Sequence, residues 1–284
     1  MSSEHLLSQK EREFIREAVR YLERPSFLMR LANLVGTPVE ALARRVVPDR
    51  VNAITHAAVN RLMKLAASTV NVDSVVDRSF DEQYAKSGWT DRVHMLATMV
   101  TGGVGGAFGL PGLAIELPLT TGIMFRSIAA IAGDFGEDVS DPHVRVECIS
   151  VFTQGGPGRG DEAMESSYWT TRAALSKLVR DAAEFLVGRT AGEISEAIAK
   201  ESAPVLIRFI ARVAGEFNIV VSEKFLAQSM PVISVVTSSA VNAAFTDHFN
   251  SVARYHFGIR RLERHHGQAV IRAAYTAELE RLAR

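Results

Sequence analysis

The chain has 284 residues, of which 47% are hydrophobic and 23% charged, enough to bury a substantial core in one large domain or two small ones. Its 32 basic and 32 acidic residues cancel, which argues against a nucleic-acid partner, since such proteins normally carry a basic excess. The single cysteine, Cys148, excludes an intramolecular disulfide, and the apolar pattern around it, VRVECISVF, makes it a small buried hydrophobe rather than a nucleophile.

In chain order the signals are helical. The opening MSSEHLLSQKEREF turns charged before an apolar stretch of secretory-signal length forms, so a reducing, cytoplasmic setting is expected. Ser8 and Glu11 have capping-box spacing, and Phe14, Ile15, Ala18, Val19 and Leu22 share one face, giving an amphipathic helix within residues 1–24. Gly36 closes a short apolar turn, and Thr37-Pro38-Val39-Glu40 restarts a helix with cap, N1 proline and N3 glutamate in place. VNAITHAAVNRLMKLAASTV reads as a long alanine-rich helix, and the polar stretch from Asp73 to Asp91 is the best candidate for an internal joint.

Next comes GGVGGAFGLPGLAIELPLTTG, Gly102 to Gly122, with seven glycines, two prolines and one carboxylate. Gly102/Gly106 and Gly105/Gly109 have the spacing of close helix contacts, which predicts a tightly packed central helical hairpin. PLTTGIMFRSIAAIAG then reads as a helix with Pro118 in its first turn. Asp141-Pro142 starts another, and SSYWTTRAALSKLVRDAAEFLVGRT runs as a helix to about Val187. AGEISEAIAKESAPVLIRFIARVAGEF is interrupted near Pro204, and the remainder keeps the 3.6-residue period. No run alternates with period two, so the expected fold is all-α, a single multi-helix domain with a closing helix over 268–284.

Two runs approach membrane length: Met95–Ile115 and Phe225–Thr246 are uncharged over 21 and 22 residues. Both are broken by proline and by glycine or polar side chains, which weakens full insertion and favours a soluble or peripheral arrangement over a spanning one. From Arg254 to Arg284 seven arginines stand against three glutamates, a basic terminus able to meet anionic headgroups.

Few residues carry a chemical signature. Glu116, alone in its apolar run, must pair, protonate or reach water, with the positive end of the Pro118 helix or Arg126 as candidate partners. His248 and His256 are eight residues apart, about 80° around a helix, a poor arrangement for one metal ion, so hydrogen bonds between helices are expected and no metal or cofactor. Asn242 reads as a buried cross-helix hydrogen bond, and Tyr168 with Arg172 at i, i+4 as a lining for an anionic group. The glycines lack the strand context of a dinucleotide fingerprint, GGPGRGDE lacks the ending of a phosphate loop, and there is no nucleophile elbow.

FGLPGLAIELPLTTGIMFRSIAAIAGDFGED, followed in order by VFTQGG, YWTTRAALS, SEKFLAQSMPVI and VNAAFTDHFNSVARYHFGIRRLERHHG, resembles the signature segments of the EcsC family of bacterial proteins, over residues 25–267. VISVVTSSAV stands where the family is usually glycine-rich. The resemblance implies a helical domain encoded beside an ABC transporter and brings no catalytic residues. The reading that follows is a non-enzymatic protein, peripheral at the cytoplasmic membrane face, that binds lipid or an integral membrane partner. Two alternatives stand beside it: a hydrolase or lipid-modifying enzyme using Glu116 with His248 or His256, and a soluble helical scaffold.

Overall fold

The computed structural model describes residues 7–23, 27, 49–68, 79–84, 109–154, 166–228 and 235–283. They form nine α-helices: α1 (Gln9–Leu22), α2 (Arg50–Ala67), α3 (Gly109–Asp134), α4 (Pro142–Ser150), α5 (Ser167–Leu186), α6 (Ala191–Ala199), α7 (Pro204–Gln228), α8 (Val235–His266) and α9 (Gln268–Ala283). A 3-10 turn, Val151–Thr153, extends α4. There is no strand among the described residues, and the chain is an all-α single domain.

Local chemistry sets the helix starts. Ser8 and Glu11 cap α1 reciprocally, and Thr190 and Glu193 do the same for α6, each satisfying two backbone donors that a helix end leaves bare. Asp141 accepts from the His143 backbone N–H at 2.8 Å ahead of Pro142 at the start of α4. Glu23, just past α1, takes the N-terminus of α5: it accepts from the Ser167 backbone N–H at 2.9 Å and from the Ser166 and Ser167 hydroxyls. A carboxylate there also meets the positive end of the helix dipole. The Tyr275 hydroxyl donates to the same carboxylate at 2.8 Å, so one side chain joins α1, α5 and α9.

Packing follows the apolar faces. α2 buries Val51, Ala58, Val59, Leu62, Met63 and Ala66 and lies against α3 and α7, while α8 lies against α3 and α1. Phe14 of α1 is ringed by Phe80, Tyr84 and Tyr255 at centroid distances of 5.1, 5.3 and 5.7 Å. Gly258 of α8 lies under this ring, where an added Cβ would come within 2.2 Å of Phe14. Residues 79–84, within the stretch read as a joint, are docked on α1: Tyr84 donates to Glu17 at 3.0 Å and Lys10 pairs with Asp81.

One expectation changes. Pro118 lies inside α3, not in its first turn, because the helix begins at Gly109. A proline there removes the donor for the carbonyl of Ala114, one turn earlier, and Ala114 is on the exposed side where that carbonyl meets solvent. Of the hairpin glycines, Gly102, Gly105 and Gly106 are outside the described residues, and Gly109 is the first residue of α3.

Candidate functional site

Two groups of buried polar residues stand out. The first is where α3, α7 and α8 meet. Glu116 is buried on α3, and its partner is neither the helix dipole nor Arg126 but Lys224 of α7, whose ammonium donates to Oε1 at 2.5 Å. Lys224 is fully buried with its ammonium 4.6 Å from the centre of the Phe245 ring, so a carboxylate and an aromatic face share one cation. Burial pulls the Lys224 ammonium below its ordinary range, and the Glu116 charge beside it opposes that shift.

Around the pair the polar side chains are short of partners. Among the described residues, Glu116 Oε2, Thr120 Oγ1, Thr246 Oγ1 and both amide atoms of Asn242 are buried without a hydrogen bond. Thr120 is one turn from Glu116, and Thr246 is one turn from Asn242, so each helix turns a polar stripe inward. The outward side of α3 is the reverse: Ile115 is 71% and Leu119 44% exposed. Arg126, also exposed, is two turns past Leu119 and within about 20° of it around the helix, so it ends that outward stripe.

The second group is built on α4, α5 and α8. His256 is fully buried, with Nε2 3.0 Å from Glu147 Oε1 and Nδ1 3.2 Å from the Tyr168 hydroxyl and 3.4 Å from the Gln154 amide nitrogen. The contacts make one directed chain. Arg172 donates to the Tyr168 oxygen, Tyr168 donates to Nδ1, and Nε2–H donates to Glu147, which requires a neutral imidazole. Burial pushes the His256 pKa down, consistent with that tautomer. Burial also works against the Glu147 carboxylate, but the hydrogen bond from His256 and the charges of Arg260 and Arg172 outweigh it, taking the pKa from 4.5 to about 2. Burial raises the Tyr168 phenol, so it stays protonated.

Carboxylates hold the arginines in turn. Arg172 grips Glu263 with both guanidinium nitrogens at 3.0 and 2.6 Å. Arg260 donates to Glu137 at 2.8 Å and lies 3.7 Å from Glu147, and Arg264 pairs with Glu137 and donates to the Phe135 carbonyl. The basic C-terminal run is therefore largely spent inside the fold: Arg261 also donates to Gln83, and Arg281 pairs with Glu278. Glu147, Gln154, Trp169 and Arg172 of this group line an open cleft of about 340 Å³.

The sequence-derived residues thus fall in separate places. Tyr168, Arg172 and His256 are brought together, and Glu116 is paired with Lys224. His248 is elsewhere, stacked on Tyr21 and Phe27, with its Nδ1 3.4 Å from the Tyr21 hydroxyl. Glu116 meets neither histidine. Among the described residues no three His, Cys, Asp or Glu side chains are grouped closely enough to hold a metal ion. Sequence reasoning missed Lys224 and Gln154, and it placed no residue opposite Glu147. A lone lysine at the edge of an apolar run was the one available signal for the first of these.

With the fold and these groups in view, comparison with known proteins assigns the chain. It belongs to the EcsC protein family, whose model matches residues 9–262 and so takes in α1 as well as the motifs quoted above, the last of them as far as Leu262. No curated protein and no solved structure matches the chain.

Proposed function

We propose that the protein works, without catalysing a reaction, at a membrane surface, with the N-terminal half of α3 dipping into the lipid headgroup region at the cytoplasmic face. The observation that carries this is that the helix half is apolar on its outer side as well as its inner one, where Leu113 and Leu117 are buried. Its ionisable and hydroxyl side chains, Glu116, Thr120 and Thr121, are buried, while Ile115 and Leu119 face outward. In water that arrangement forfeits apolar burial; against lipid it is the arrangement that polar groups inside membranes adopt, facing the bundle and pairing. α3 is, among the described residues, the one helix long and apolar enough to cross a bilayer by length and composition, with a mean hydropathy of 1.3 over its apolar window. Its second half is core: Met124, Phe125, Ile128, Ala129 and Ile131 are fully covered. Docking by one end suits such a helix better than spanning. Arg126 then stands about 10 Å along the axis from Leu119, where a guanidinium reaches headgroup phosphates while its stem stays on the apolar stripe.

Flotation with vesicles containing anionic phospholipid tests the reading. The wild-type protein is expected to float, and Ile115→Asp/Leu119→Asp, both at exposed positions, to stay at the bottom with an unchanged melting temperature. Flotation of the double variant to the same extent, or none by the wild type, overturns it.

A further inference from the structure

The cleft between α4, α5 and α9 is independent of the α3 surface, and its walls hold polar atoms that the fold leaves unused. Trp169 is 7% exposed, and its indole N–H meets no acceptor among the described residues. Gln154 is 4% exposed; its amide nitrogen is held near His256, and its carbonyl oxygen is without a donor. A buried donor and a buried acceptor left open on one cleft are costly unless something occupies them.

Charge indicates what that is. Arg172, Arg260, Arg264 and Arg272 are grouped with Glu137, Glu147 and Glu263, which leaves one positive charge. It resides on Arg272, which lines the cleft, is exposed, and meets no carboxylate among the described residues. The Arg272 and Arg172 guanidiniums both lie over the Trp169 ring, at 5.9 and 5.3 Å from its centre. With Arg172 held by Glu263 and Arg260 by Glu137, the open donors are the Trp169 N–H on α5 and the Arg272 guanidinium on α9. The two non-ester oxygens of a singly charged phosphodiester match these two donors, its ester substituents leave room for a neighbouring donor group to reach Gln154, and a phosphate monoester would bring a second charge that nothing balances. Leu175 and Val179 supply the apolar part of the lining, and the volume, about 340 Å³, is that of a small-molecule site.

From these features we infer that the cleft is a binding site for a phosphodiester monoanion carrying an adjacent hydroxyl or ammonium group: the phosphodiester is held by Arg272 and the Trp169 N–H, and the neighbouring donor by the Gln154 carbonyl. This chemistry is common to phospholipid headgroups and to the free glycerophosphodiesters released from them.

Titration calorimetry of the full chain with glycerophosphoglycerol, and in parallel binding to phosphatidylglycerol vesicles with Ile115→Asp/Leu119→Asp as background, separates the two sources. The soluble diester is expected to bind saturably at millimolar concentration or below, Arg272→Gln and Trp169→Phe each to weaken it about tenfold or more, and dimethyl phosphate, which lacks the donor, to bind more weakly. Arg272 is exposed, so its variant tests the site without a folding penalty. Binding of vesicles alone, lost in Arg272→Gln, assigns the ligand to the lipid. No binding of either probe, or binding unchanged in both variants, overturns the inference, and neither result bears on docking through α3.

Discussion

Lys224 shows most sharply how a buried charge is tolerated. Its ammonium has a carboxylate on one side and an aromatic face on the other, and no water-exposed surface. Removing one member of such a pair strands the other, whereas replacing both with apolar residues of similar size is often neutral. Lys224→Met is therefore expected to lower the free energy of unfolding by about 3–5 kcal/mol, and Glu116→Leu/Lys224→Met to recover most of it, read from urea denaturation. A double variant as unstable as the single would show that the pair is held for another reason. Glu116 stands out in the sequence because it is alone, but its partner is 108 positions away, and the edge of an apolar run in VSEKFLAQ is the one local sign that the lysine is internal. Periodicity describes which face of a helix is apolar; it is silent on which distant helix supplies a counter-charge.

At the scale of the element, the caps were the most legible feature, because a cap is chemistry within four residues: Ser8 with Glu11 and Asp141 with Pro142 stand as the sequence suggests. Pro118 was less so. A proline is favoured at N1 and costly inside a helix, so local preference places Pro118 at a helix start; the interior position is set by the packing of α3, which the local sequence does not show. Close approach was legible only in part. The hairpin glycines outside the described residues attracted the packing argument, yet the glycine with a demonstrable steric role is Gly258, where α1 presses Phe14 onto α8. Phe14 is fenced by three aromatic rings and has little room to swing aside. Gly258→Ala is expected to destabilise by about 1–3 kcal/mol by overpacking, despite the helix propensity that alanine adds, and a thermal melt measures it. An unchanged or raised melting temperature would mean that the ring can move.

Across the whole molecule the arginine–glutamate–histidine network sets the response to acid. Glu147 and Glu137 are both held below the ordinary carboxylate range, and His256 below the ordinary imidazole range. In each case the unfolded chain takes up a proton at a higher pH than the folded one, so each contribution is complete above the unfolded pKa and is lost as pH falls. The loss begins near 6.5 with His256 and continues from 4.5 to about 2 with Glu147. Glu147→Gln is therefore expected to be less stable than wild type at neutral pH and to converge on it toward pH 2. Urea midpoints at several pH values measure the gap, and a gap that does not narrow on acidification contradicts the assignment. The same global view carries a consequence for synthesis. Glu23 and Tyr275 are 252 residues apart, and α1 packs on α9, which is made last among the described helices. With translation at about 5–20 residues per second, α1 emerges from the ribosome and waits on the order of ten to fifty seconds for its partner. Throughout that interval the segment lacks the surface that covers its apolar face, and a 14-residue helix is marginal alone in water, so α1 takes its final form only after the late helices have been made.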